Sequence, residues 1–150
     1  MIHPCTDPTT PAWLHLRSAL WPDSAAAEHL AEMADIALRP DTFVALLAYD
    51  EQGGALGLAE ASVRHDYVNG SNTSPVAYLE GIFVEPARRG QGIARQLIAA
   101  VERWAAGKGC RELASDAALD NLGSQHMHAA LGFAETERVV YFLKPVTPLD

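Results

Sequence analysis

The sequence is poor in the features that mark specialised protein classes. It has two cysteines, Cys5 and Cys110, and no CxxC pair. A disulfide framework and a thiolate zinc site are therefore excluded, and reduced thiols in a cytoplasmic protein are the expectation. Cys110 reads as a small hydrophobe ahead of a strand. No apolar run approaches the ~18 residues that a membrane helix requires. The opening residues, Met1 to Cys5, have neither the basic stretch nor the apolar stretch of a signal peptide. Positive charge is scarce: 11 Lys and Arg stand against 19 Asp and Glu, a formal net charge of −8. Such a balance argues against nucleic acid or an anionic membrane as partner and suits a cationic ligand. There is no internal repeat, no low-complexity tract and no dividing linker. No metal site is expected, because His126 and His128 are two residues apart and fall on different faces of a helix.

What remains is an ordinary globular chain, 49% hydrophobic and 20% charged over 150 residues. It is read as one domain, residues 1–150, long enough to bury roughly 70% of its unfolded surface. Pro4, Pro8 and Pro11 leave room for only a short strand before the first helix. Trp13, Leu16, Arg17 and Leu20 repeat at helical spacing, with Thr10 as N-cap before Pro11 and with Pro22 as stop. A second, alanine-rich helix runs from Ala25 to about Leu38, ahead of Pro40.

The period then changes. Phe43 to Tyr49 is a continuous apolar run, a buried strand. Residues 51–54 make a hairpin turn into a partner strand from Ala55 to about His65. A polar loop, residues 66–75, leads to a third strand, Val76 to Val84. A turn rich in glycine and arginine opens a helix with Ile93, Leu97, Val101 and Trp104 on one stripe. A short strand at Glu112–Asp116, a helix at Asn121–Leu131 and a last strand at Thr136–Lys144 complete the series. This predicts a mixed α/β domain of six or seven strands and about four helices. Its sheet is mostly antiparallel but locally parallel where crossover helices intervene.

The most informative stretch is Val84-Glu85-Pro86-Ala87-Arg88-Arg89-Gly90-Gln91-Gly92-Ile93-Ala94. It leaves a strand and opens a helix, where unpaired N–H groups and the helix dipole favour a phosphate. A P-loop is excluded, because no Gly-Lys-Ser/Thr follows. A dinucleotide fingerprint is disfavoured by Arg95 at its third small position. The remaining alternative is a glycine turn that only starts a helix.

Arg89-Gly90-Gln91-Gly92-Ile93-Ala94 resembles the Arg/Gln-x-x-Gly-x-Gly/Ala signature of the GNAT acetyltransferase superfamily. Its setting agrees, with Val84-Glu85-Pro86 before it and Leu131-Gly132-Phe133 about forty residues on. A narrower likeness lies outside the cofactor motif. Leu20-Trp21-Pro22, residues 64–70, residues 79–84, Ala114-Ser115-Asp116 and residues 135–139 are together similar to the aminoglycoside 6'-N-acetyltransferases. The resemblance implies a GNAT fold, acetyl-CoA as cosubstrate, an aminoglycoside as acceptor and frequently a homodimer. It assigns the diphosphate to the amides of Arg89, Gly90, Gln91, Gly92, Ile93 and Ala94. The pantetheine falls to the backbone of Ile82 and Val84, with Asn121 on its arm. The acceptor pocket falls to Trp21, Tyr67, Glu80, Asp116 and Glu137.

Glu80 is also conspicuous by itself. It is a lone carboxylate in an apolar strand, where burial is costly without a partner or a task. Alternation puts Tyr78, Glu80 and Ile82 on one face, and Gly81 favours a bulge that would open a gap. Glu80 is thus either a partly exposed structural group or the group that takes the proton of an acceptor amine. Asp116 is either a turn residue or part of the cleft. For Trp21 alone, core packing is the simpler reading.

The proton donor to a leaving thiolate stays open. Many superfamily members have a tyrosine four residues before the glycine of the Gly-Phe pair, and here that position is His128. His128, Tyr141 and solvent are the candidates, and packing under the sheet is an equal alternative for His128. Two other functions share the cradle: acetyl transfer to a different amine, such as a polyamine or a protein N-terminus, and CoA binding by a regulatory module without catalysis.

Overall fold

The computed structural model describes all 150 residues and divides them into two compact units, Met1–Asp116 and Ala117–Asp150. The first unit holds β1 (Ile2–Pro4), α1 (Pro11–Leu20), α2 (Ala26–Leu38), β2 (Phe43–Tyr49), β3 (Ala55–Arg64), β4 (Val76–Val84), a 3-10 turn (Pro86–Arg88), α3 (Ile93–Gly107) and β5 (Leu113–Ser115). One sheet runs in the order β1-β2-β3-β4-β5. The first three pairings are antiparallel. β4 and β5 are parallel, as a crossover through α3 requires.

Local chemistry explains most boundaries. Pro11 opens α1, where its missing N–H is harmless. Thr10 occupies the N-cap position, but its side chain makes no capping bond, contrary to the expectation from its type. The β2–β3 turn is tied by Asp50, whose Oδ1 accepts from the N–H groups of Gln52 (2.9 Å) and Gly54 (2.7 Å). Gly53 supplies the positive φ of 82°. Trp13, Leu16, Met33, Leu47 and Leu58 are completely buried in one cluster between α1, α2 and the sheet. Each such side chain stabilises the fold by about 1.5–3 kcal/mol through apolar burial. Cys110 lies in a second cluster with Ala77 and Ala105, and burial pushes its thiol pKa up.

The sheet has five strands, fewer than the six or seven expected. The shortfall is at the C-terminus, where residues 136–144 form no strand. A strand exists only through its ladder, and this segment has β-forming composition without a ladder in this chain. The second unit holds α4 (Leu122–Ala130). Asn121 caps it by accepting from the Ser124 N–H at 3.1 Å, and Gly132 closes it with φ 95°.

Two irregularities of β4 shape the site. Glu60 opposes Gly81, whereas the next partner of β3, Ala61, opposes Leu79. Glu80 is therefore the extra residue of a β-bulge. β5 pairs only with Ala77, Tyr78 and Leu79. From Glu80 to Val84, β4 has β3 on one side and no strand on the other. The gap that Gly81 suggested is present. The bulge also corrects the expected face pattern: Ile82 opposes Ala59, so it lies on the face opposite to Tyr78 and Glu80.

Candidate active site

Glu80 projects from the bulge on the face shared with Ser62 and Tyr78. Its Oε1 accepts from the Ser62 hydroxyl at 2.5 Å and from Arg64 Nη2 at 2.9 Å, which leaves Oε2 unengaged. The carboxylate is about one-third exposed, so the ion pair with Arg64 contributes about 1 kcal/mol or less. Its main effect is to aim the group. The Arg64 guanidinium also lies over the Tyr78 ring, 3.5 Å from its centre. The Tyr78 hydroxyl in turn donates to Asp116 Oδ2. Burial, followed by the bond to Asp116, raises the Tyr78 pKa, so the phenol keeps its proton as a donor. Ser62, Arg64 and Tyr78 thus join Glu80 and Asp116 into one chain of contacts.

An open cavity of about 610 Å³ adjoins Glu80. Trp21 forms part of its wall together with Arg17, Glu32, Asp35 and Glu60. Trp21 therefore faces a cavity instead of being lost in the core. The wall combines one indole with four carboxylates, each of them paired with an arginine: Glu32 and Glu60 with Arg17, Asp35 with Arg39 and Glu80 with Arg64. Tyr67 lies on the loop after β3 and is 79% exposed. That loop is held by Glu112, whose Oε1 accepts from the N–H groups of Asn72 (2.9 Å) and Thr73 (2.8 Å) and from the Thr73 hydroxyl. These bonds, the Thr73 hydroxyl first, hold the Glu112 pKa below its ordinary value.

The turn after β4 has the form of an anion cradle. Gly90 and Gly92 have φ of 78° and 81°, and a Cβ at either would enter open space. Both conformations favour glycine. Gly92 is the N-cap of α3, and no side chain caps that end. Arg89 Nε donates to the Val84 carbonyl at 2.9 Å, bracing the turn against the strand. Arg88 Nε is buried with no hydrogen-bond partner, a donor that costs about 1–3 kcal/mol while unpaired. A left-handed glycine pair and an uncapped helix start fit a diphosphate.

Asn121, His128, Glu137 and Tyr141 belong to the second unit. His128 Nδ1 lies 2.7 Å from the Ser124 carbonyl oxygen. A carbonyl only accepts, so Nδ1 carries a proton directed into its own helix. The ring also meets Phe133 edge-on, 5.1 Å between centres. Tyr141 is 86% exposed. Glu137 is exposed in the segment without regular structure.

Sequence reasoning missed Arg17, His29, Glu60, Ser62 and Glu112. For Glu60 the signal was present: it is a lone carboxylate in an apolar strand, as Glu80 is.

Residues 10–133 match the Acetyltransferase (GNAT) family. The aminoglycoside N(6')-acetyltransferase type 1 of Salmonella typhimurium is 52% identical over 132 residues, 88% of this chain and 90% of its own. That of Serratia marcescens is 50% identical over 144 residues, 96% of this chain and 98% of its own. The fold superposes on the crystal structure of aminoglycoside antibiotic 6'-N-acetyltransferase AAC(6')-Ih from Acinetobacter baumannii with a TM-score of 0.92 and 50% identity, covering 98% and 99% of the two chains. It superposes equally on AAC(6')-Iy in complex with the bisubstrate analog CoA-S-monomethyl-acetylneamine, with a TM-score of 0.91 and 47% identity over 97% and 98%. The chain belongs to the GNAT acetyltransferase family, within which relatives of about half-identical sequence are aminoglycoside 6'-N-acetyltransferases.

Proposed function

We propose that this protein transfers the acetyl group of acetyl-CoA to the 6'-amine of an aminoglycoside, the reaction of an antibiotic-resistance enzyme. One observation carries the reading beyond the family: Glu80 stands on a bulge where β5 leaves β4, beside a cavity walled by Trp21 and carboxylates. Acetyl-CoA lies with its diphosphate on Arg89 to Ala94. Its pantetheine follows the open side of β4 at Ile82 and Val84, where every second peptide group points away from β3. Asn121, already the α4 cap, lies on that arm. The two units are parts of one acetyltransferase domain in this reading, supported by a family match that crosses residue 116.

The acceptor binds through its ammonium groups to Glu80, Asp116 and Glu137, with Trp21 and Tyr67 as aromatic wall. The 6'-ammonium loses a proton to Glu80, directly or through one water. The neutral amine attacks the thioester carbonyl, which the Ile82 amide polarises. A C–N bond forms, the nitrogen releases its second proton to solvent, the C–S bond breaks, and the thiolate leaves. It takes its proton from His128, Tyr141 or solvent. Because His128 Nδ1 is committed to the Ser124 carbonyl, His128 donates only as the doubly protonated ring, through Nε2.

The test is a matched pair of aminoglycosides that differ only in bearing a 6'-amine or a 6'-hydroxyl, with acetyl-CoA and detection of released thiol. The amine is expected to be acetylated at 6' and the hydroxyl compound left unchanged. Turnover on spermidine or peptides instead would assign another amine. No thiol release with any amine would leave only CoA binding.

The enzyme is a cytoplasmic homodimer in this reading. No helix is long and apolar enough to cross a membrane. Val140, Tyr141, Phe142 and Leu143 are 78–99% exposed, an apolar β-forming segment suited to pair with a second copy. Sedimentation equilibrium at micromolar concentration is expected to give twice the chain mass, and a monomer there would remove the dimer.

A further inference from the structure

Arg17, Glu32 and Glu60 of the cavity wall continue inward into a buried polar cluster that takes no part in the transfer steps. Glu60 is 3% exposed and sits in an apolar sheet face. Its Oε2 accepts from Trp13 Nε1 (2.8 Å) and Arg17 Nε (2.7 Å), and its Oε1 from Arg17 Nη2 (3.1 Å). This is a two-pronged arginine–carboxylate pair with an indole as third donor. Arg17 Nη1 reaches Glu32 Oε2 at 2.8 Å and His29 Nδ1 at 3.2 Å. His29 is 1% exposed, and its Nε2 lies 3.1 Å from the Trp21 carbonyl oxygen. A guanidinium only donates and a carbonyl only accepts. His29 therefore accepts at Nδ1 and donates at Nε2, with both ring nitrogens in use.

His29 and Arg17 of this cluster both reach Trp21, the residue just past the end of α1. Its N–H donates to the Arg17 carbonyl at 2.9 Å. Its carbonyl is held by His29. Its ring lies over the Arg17 guanidinium, 4.9 Å from centre to charge. Its far edge rests on Gly81, where a Cβ would come within 2.5 Å of the ring. Gly81 is the register partner of Glu60 and the residue after Glu80. The cluster thus connects the sheet at Glu60 to the indole, and the indole returns to the sheet beside the carboxylate. The indole has no room to settle closer to β4; two hydrogen bonds fix the Trp21 backbone, and the Arg17 guanidinium and Gly81 flank the ring.

We propose that His29, acting with Arg17 and Glu60, is a positioning residue: it fixes the Trp21 indole against Gly81 and so sets the acceptor side of the cavity next to Glu80. The proposal rests on the reading that Trp21 and Glu80 face the aminoglycoside. It assigns to a fully buried histidine, outside the residues proposed to hold acetyl-CoA, a selective effect on the other substrate.

The experiment compares full-length His29→Leu, His29→Gln and the parent. The acceptor is a kanamycin-type aminoglycoside, and the Trp21 indole N–H is followed by nitrogen–proton NMR, assigned with Trp21→Phe. His29→Leu is expected to raise the KM for the aminoglycoside about tenfold, the size of one buried hydrogen bond. The KM for acetyl-CoA should stay within about twofold, and the Trp21 indole signal should shift or broaden. His29→Gln, which offers both a donor and an acceptor, should recover most of the affinity. If His29→Leu does not fold, Gly81→Ala, whose Cβ would meet the Trp21 ring and Leu20, displaces the indole from the opposite side, and it should produce the same selective rise. An unchanged acceptor KM in a folded variant, or equal loss for both substrates, overturns the positioning role. If instead Trp21→Ala leaves the acceptor KM unchanged while Glu80→Gln slows turnover, the failure lies in the assignment of the wall.

Discussion

Glu60 and Glu80 stand on neighbouring strands on either side of one bulge, and their surroundings give them opposite uses. Glu60 faces α1, is buried, and has three donors on its two oxygens. Glu80 is one-third exposed, has two donors on a single oxygen, and borders an open cavity. A carboxylate enclosed by indole and guanidinium donors is structural, because any movement would strand a buried charge. A carboxylate with one oxygen anchored and the other unengaged is aimed but still able to exchange a proton. The lesson is that residue type and an apolar strand context mark both groups equally. What separates them is the count of donors and the access of solvent.

That contrast is broken most sharply at Glu80. Glu80→Gln keeps shape and most hydrogen bonding but cannot take a proton. Turnover is expected to fall by roughly 10²–10⁴-fold, the range of a lost general base, while the melting temperature and the acetyl-CoA affinity stay near the parent values. Parental turnover in that variant would remove Glu80 from the chemistry. The converse change, Glu60→Gln, leaves Arg17 with Glu32 as its one charged partner and one amide N–H directed at a guanidinium. Urea denaturation is expected to show a loss of about 3–5 kcal/mol, the cost of breaking a buried pair. A loss below about 1 kcal/mol would make Glu60 an ordinary surface-like carboxylate and erase the distinction.

Much of this was legible in the chain itself. Phe43–Tyr49 and Val76–Val84 were bounded correctly because continuous apolar runs between turn residues leave little freedom. Gly81 announced the bulge, and Gly90 and Gly92 announced the cradle, because each answers a local steric demand. The cluster at Arg17, His29 and Glu60 was not legible, since its members are 12 and 43 residues from Arg17 in sequence and nothing local sets their meeting. The segment 136–144 misled for the same reason in reverse. Its composition states a preference for a strand, but composition cannot supply the neighbouring ladder.

The extra residue of β4 has a consequence for rebuilding this enzyme. Because β4 advances two residues where β3 advances one between Leu79 and Gly81, positions before and after Glu80 keep opposite parity relative to the sheet. In a strand lacking the bulge Glu80 would oppose Glu60 and Gly81 would oppose Ala59, so the downstream half would turn over and Gly81 would leave its place beneath the Trp21 ring. Crossovers placed in the β2–β3 turn or after Val84 leave that parity intact.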